Sequence, residues 1–115
     1  MNLDEAVAKH MEWKVRLRSS IVKKEVVDAA TIRKDDCCVL GKWLHGEGKT
    51  QYGRKKSFAE LVAKHADFHR NAGSVADTIN AKKYELAETM LDGRSEFGAA
   101  SFAVAGAIAS LMKEI

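Results

Sequence analysis

No proline interrupts this chain of 115 residues, and glycine occurs only eight times. Sheets and long loops normally need more of both, so the shortage argues against a β architecture and points to an all-helical protein. Cysteine is scarce as well. The two residues, Cys37 and Cys38, are neighbours and have no third partner. A bridge between adjacent cysteines is strained and rare. That leaves thiol or metal-ligand chemistry in a reducing compartment as the expected use. Neither sign of charge is in large excess: 19 basic against 16 acidic residues give +3, too mild a balance to imply a nucleic-acid partner. The densest basic stretch holds Lys49, Arg54, Lys55 and Lys56 with Tyr52 as its lone aromatic, and reads as a solvated loop. A membrane-length apolar run is also missing. Phe97 to Met112 carries no charge over 16 residues, short of the roughly 20 that span a bilayer, and its Ala, Gly and Ser content suits a tightly packed bundle helix. The first five residues are acidic and lack an apolar core, unlike a signal peptide. A cytoplasmic protein without membrane insertion is expected.

What is present is ordinary for a soluble globular protein: 46% apolar and 30% charged residues. The length predicts one domain over residues 1–115. Leu3 to Ala30 contains no glycine and reads as one long helix, with Leu3, Val7, His10, Trp13, Leu17 and Ile21 on one face. A second stripe, Met11, Val15, Val22 and Val26, lies on another side, so this helix is expected to have two partners. Asp35 or Asp36 is a candidate cap for a short helix from Cys37 to about Leu44. Gly41, Gly46, Gly48 and Gly53 then mark the main loop. Ser57 and Glu60 have the spacing of a capping box for a helix to about Ile79, with Phe58, Leu61, His65, Phe68, His69, Ala72 and Ile79 inward. Asn80 marks an interruption, Lys82 to Leu91 a shorter helix, and Ser95 a cap for the last helix, Glu96 to about Lys113. The expected fold is all-α: an antiparallel four-helix-bundle-like domain with one additional short helix.

Of the four histidines, His65 and His69 stand at i, i+4, one turn apart on one face, a spacing that suits two ligands of one metal. The same spacing also occurs between unrelated histidines. Here both fall on an apolar face, as does His10 on the first helix, and three inward imidazoles are hard to satisfy with hydrogen bonds alone. Cys38 adds a fourth candidate ligand, in the first helical turn, where the dipole favours a thiolate. Three imidazoles and one thiolate fit a tetrahedral zinc. The plain alternative for Cys38 is a small buried hydrophobe.

Three segments resemble one family. Cys38-Val39-Leu40-Gly41-Lys42-Trp43-Leu44 is similar to the CxLGxWL signature of the chemoreceptor zinc-binding (CZB) domain. His10-Met11-Glu12-Trp13 matches its HxxW, and His65-Ala66-Asp67-Phe68-His69 its HxxFH. Their order and gaps agree with the family over nearly the whole chain, which reads as a standalone, single-domain member. The resemblance implies a helical bundle with zinc held by His10, Cys38, His65 and His69. It also implies regulation of bacterial chemoreceptors or diguanylate cyclases, dimerisation, and oxidant sensing through the thiolate, for example of hypochlorous acid. Cys37 falls outside the ligand register, and His45 is assigned to the loop. Trp13 and Trp43 are expected beside the site, and Asp35, Asp36 and Asp67 are candidate acceptors for imidazole N–H groups.

Four protein ligands leave zinc no open position, so a zinc-responsive regulator is expected rather than a hydrolase. A di-iron carboxylate enzyme needs Glu-x-x-His pairs, which the chain lacks, and no haem-attachment motif is present. A purely structural zinc in an interaction module is the remaining alternative. A homodimer through the second stripe of the first helix is the further expectation.

Overall fold

In a computed structural model, residues 2–115 are described. Seven helices follow in order: α1 (Leu3–Lys23), α2 (Ala29–Ile32), α3 (Val39–His45), α4 (Glu47–Tyr52), α5 (Lys56–Asn80), α6 (Tyr84–Met90) and α7 (Glu96–Glu114). The all-α expectation holds. Three helices are long. The short α6 packs against α5, α1 and α7 and supplies the fourth wall of the bundle. Two further short helices, α2 and α4, add to the expected five, and α4 occupies the glycine-rich stretch that reads as a loop in the sequence.

The pairing of α5 with α7 dominates the packing. From α7, Phe97, Ala100, Val104, Ala107, Ile108 and Leu111 are buried at i, i+3 and i+4 intervals. The alanines among them let the two helix axes approach closely. Every residue of the inward face expected for α5 is buried, with Leu61, His65, Phe68 and Ala72 fully enclosed. Burying each such Leu or Phe contributes about 1.5–3 kcal/mol, which is what holds the imidazoles in place. The expected inner face of α1 also turns to the core, where Leu3, His10, Leu17 and Ile21 are buried and Val7 and Trp13 pack at its edge.

Helix α1 stops seven residues before the expected end at Ala30. Lys24 adopts the left-handed conformation (φ 55°, ψ 40°), and the Glu25 N–H closes back on the Ser20 carbonyl. This is a helix stop made without glycine. The chain then runs antiparallel to α5, where the Asn80 side chain clamps Val27, accepting from its N–H and donating to its carbonyl, both at 2.8 Å. A side chain some fifty residues away satisfies backbone groups that a longer helix would have paired internally.

Two of the expected caps also differ. Cys38 itself, not Asp35 or Asp36, is the N-cap of α3. At α5 the N-cap is Lys55, with no side-chain cap; the Ser57 hydroxyl donates instead to Glu114 Oε2 at 2.5 Å and ties the start of α5 to the end of α7. Ser95 caps α7 as expected, accepting from the Gly98 N–H.

Candidate metal centre

The i, i+4 pair on α5 does what helical geometry demands: the Nε2 atoms of His65 and His69 lie 3.1 Å apart. Helix α1 delivers His10 to the same point, and one donor atom from each of the three histidines falls within 4.8 Å of the others. The start of α3 brings Cys38, whose Sγ is 3.3 Å from His65 Nε2 and 3.5 Å from His69 Nε2. All four residues singled out from the sequence therefore converge. His45 does not join them; it sits on the exposed end of α3 and pairs with Asp35 at 3.1 Å. Cys37 is exposed.

The position of Cys38 depends on a glycine. A Cβ at Gly41 would stand 1.8 Å from the Asp35 carbonyl oxygen. Only a bare backbone lets the 35–36 turn fold down over the first turn of α3 and set the sulfur against the histidines. The Gly41 N–H then donates to Cys38 Sγ at 3.3 Å.

Hydrogen bonding selects the tautomer of one imidazole. His69 Nδ1 lies 2.7 Å from the Ile32 carbonyl, which can only accept, so Nδ1 carries the proton and the Nε2 lone pair faces the cluster. The acceptor is a backbone oxygen, not one of the carboxylates considered from the sequence. Asp35 is engaged with His45, Asp67 with Arg70, and Asp36 is the weak partner of Cys37. No side-chain identity could have revealed Ile32, because every residue owns a carbonyl. Helix α2 is held in place by the ion pair between Arg33 and Asp77.

Aromatic packing encloses the site on one side. Phe68 lies 4.2 Å from the His10 ring, and Trp13 stands edge-on to His69 at 5.8 Å. Trp43, expected beside the site, packs instead on Tyr52 and Phe58, with Gly48 beneath its ring.

Burial sets the protonation states. Desolvation, reinforced by His69, pulls His10 down to about 3. His65 falls to about 2 from burial and the neighbouring histidines. His69 is lowered by burial against the opposing pull of the Ile32 carbonyl and Asp35. The Cys38 thiol is pushed up by burial despite donations from the Gly41, Leu40 and Cys38 N–H groups. The expected benefit of the helix start is thus outweighed by desolvation. Without a cation the cluster holds neutral imidazoles and a thiol; a bound cation supplies the charge that makes the thiolate favourable and displaces its proton.

The donor set fits zinc. For Zn–N near 2.0–2.1 Å and Zn–S near 2.3 Å, tetrahedral edges are about 3.4 Å between nitrogens and about 3.6 Å between nitrogen and sulfur. The observed 3.1, 3.3 and 3.5 Å separations are on that scale. His10 Nε2 is buried and finds no hydrogen-bond partner among the described residues. Such an atom costs about 1–3 kcal/mol, and a coordinated cation removes that cost.

Acid should destabilise the metal-free protein. Unfolded imidazoles titrate near their ordinary 6.5, while His10 and His65 take up protons in the folded state only near 3 and 2. The folded form therefore binds fewer protons, and its stability is full above pH 6.5 and falls as pH drops below it. Each group contributes up to about 1.4 kcal/mol per pH unit. Urea midpoints of the chelator-treated protein at pH 7.5 and 5.5 should differ accordingly; equal midpoints would contradict the buried, neutral assignment.

Comparison with curated proteins and with solved structures gives no match. The family model described as the chemoreceptor zinc-binding domain does match, over residues 10–76. That span begins at His10 and includes Cys38, His65 and His69, the residues that the fold gathers from α1, α3 and α5. With more than half of its length accounted for in this way, the chain belongs to the chemoreceptor zinc-binding domain family.

Proposed function

We propose that this chain is a non-enzymatic, zinc-responsive module of bacterial signal transduction, binding one zinc ion through His10, Cys38, His65 and His69. The observation that carries the reading is the convergence of three imidazoles and one thiol from three separate helices, with Cys38, His65 and His69 spaced on the scale of tetrahedral zinc ligands. Four protein ligands leave no position for an activated water, so the site serves occupancy rather than hydrolysis. Zinc ties α1 and the start of α3 to α5, and its loss loosens that junction. Elemental analysis should find one zinc per chain. No zinc after metal-replete purification, or two irons, would overturn the assignment. Zinc titration followed by a conformational probe separates a sensor from a purely structural ion.

A second reading, oxidant sensing at the same site, is favoured by access. A cleft of about 400 Å³ lies against α1 and reaches both Cys38 and His69. Oxidation of the sulfur by hypochlorous acid removes one ligand. Cys38→Ser should weaken zinc binding and abolish oxidant-triggered release, whereas Cys37→Ser leaves the initial release intact. Release of zinc by mild oxidant from the Cys38→Ser protein would exclude the thiolate as trigger.

The module is proposed to act in the cytoplasm, as a homodimer, on a chemoreceptor, diguanylate cyclase or other signalling protein. Among the described residues no helix is long and apolar enough to cross a membrane. The second stripe on α1 is left uncovered by the bundle: Val15 is 67% and Val22 75% exposed, and Met11 is partly so. Val26 is also exposed but lies beyond the shortened α1. Such a patch is suited to a partner surface. Sedimentation of the wild type should show a dimer, and a Val15→Glu, Val22→Glu double variant a folded, zinc-loaded monomer. A wild type that stays monomeric at high micromolar concentration would refute the dimer.

A further inference from the structure

Cys37 lies outside the metal cluster and outside the family signature, yet it opens into the same cleft as Cys38. Cys37 is exposed and Cys38 half-buried, so a small oxidant that enters the cleft meets both thiols. The polar contact of Cys37 Sγ is a long one, 3.5 Å to Asp36 Oδ1, and does not pin the side chain. Residues 34–37 form the turn between α2 and α3 and carry no helical ladder; at Cys38 the one such bond is its carbonyl accepting from the Lys42 N–H at 2.9 Å. Cys38 sits at the cap of α3, where the backbone is already extended (φ −84°, ψ 166°).

We propose that Cys37 is the resolving thiol of the site, so that oxidation of Cys38 ends in a reversible Cys37–Cys38 disulfide rather than in an over-oxidised sulfur. The proposal rests on the reading that Cys38 is the oxidant-reactive residue. In the first step the Cys38 thiolate attacks the chlorine of hypochlorous acid. An S–Cl bond forms, the Cl–O bond breaks, and hydroxide leaves. In the second step Cys37 Sγ attacks Cys38 Sγ; the S–S bond forms, chloride leaves, and the Cys37 thiol proton combines with the hydroxide as water. The two sulfurs are together oxidised by two electrons, and the hypochlorous acid is reduced to chloride.

Adjacency makes this bond suited to a switch rather than to structure. Consecutive Cα atoms stand about 3.8 Å apart, below the roughly 4.4–6.8 Å of ordinary disulfides, and strained bridges of this kind are readily reduced. Both sulfurs are spent in the bridge, so Cys38 is lost as a donor while it lasts. A reductant then restores it. Without Cys37 water hydrolyses the S–Cl bond to the sulfenic acid and chloride, and a second equivalent of hypochlorous acid oxidises that sulfur to the irreversible sulfinic acid.

The zinc-loaded full chain, treated with two equivalents of hypochlorous acid per chain and digested without reductant, tests this by mass spectrometry of the Asp35–Lys42 peptide. The wild-type peptide should be lighter by two hydrogens and return to two thiols with dithiothreitol, with zinc binding restored. The Cys37→Ser peptide should instead gain oxygens that dithiothreitol does not remove, and its recovered zinc binding should fall several-fold below wild type. A wild-type peptide oxygenated at Cys38 with the Cys37 thiol still free overturns the resolving role and leaves oxidant sensing standing. A wild-type peptide unmodified at both sulfurs, with zinc still bound, overturns both.

Discussion

His65→Ala and His69→Ala are each expected to lower zinc affinity by more than about 100-fold, while His45→Ala changes it little. Removing even the outer partner of a metal ligand typically costs 10–100-fold, and these substitutions remove the donor itself. The loss is compounded by position. His65 is fully enclosed on α5, so water from solvent does not take its place, and His69 is 1% exposed at the inner end of the cleft. Each also lies within 3.5 Å of Cys38 Sγ, so its removal leaves the thiol facing a cavity rather than a ligand shell. His45 shares none of this, being exposed and paired with Asp35. Competition with a chromophoric chelator measures all three, and an equal loss for His45→Ala would show that the cluster had been assigned to the wrong histidines.

Gly41→Ala is expected to destabilise the zinc-free protein by about 1–3 kcal/mol, the range for forcing a methyl group into a filled space. It should also weaken zinc binding in the intact protein. The added carbon would meet the Asp35 carbonyl oxygen at 1.8 Å. That atom belongs to the backbone, so relief requires the 35–36 turn to lift away, and Cys38 moves with it. Gly106→Ala is the matched control with the opposite sign. It lies within α7, and a Cβ there meets nothing within 4 Å. Replacing a helical glycine with alanine at such a place should stabilise by roughly 0.8–1 kcal/mol. Urea unfolding of the two variants should bracket the wild type. A Gly41→Ala protein as stable as wild type, with unchanged zinc affinity, would mean that the turn does not depend on this close approach.

Much of the fold was legible because its signals are local. The absence of proline, the helical period of apolar residues along α5 and α7, and the Ser95 cap act within a few residues of one another, and each is realised in the structure. The same locality placed His65 and His69 together, since one turn of helix decides their separation. Where local signals competed with tertiary ones, the latter won. Nothing within Leu3 to Ala30 ends a helix, yet α1 ends at Lys23 because Asn80 offers Val27 a donor and an acceptor. Ser57 has the spacing of a capping residue but bonds to Glu114 instead, since the end of α7 lies against it.

At the candidate metal centre, the sequence by itself determined which residue types could serve as donors and the helical register of His65 and His69, and its three motifs singled out His10 and Cys38 as their companions in the cluster. Only the tertiary structure decided how those donors meet. His10 reaches α5 across a helix–helix contact, and Cys38 reaches it because Gly41 admits the Asp35 carbonyl. The remaining features of the site belong to tertiary structure for one physical reason. The Ile32 carbonyl that orients His69, the burial that keeps the imidazoles neutral and the thiol protonated, and the turn of Trp43 toward Tyr52 and Phe58 all depend on groups that every residue carries or on the exclusion of water. Neither is written in the identity of any single side chain.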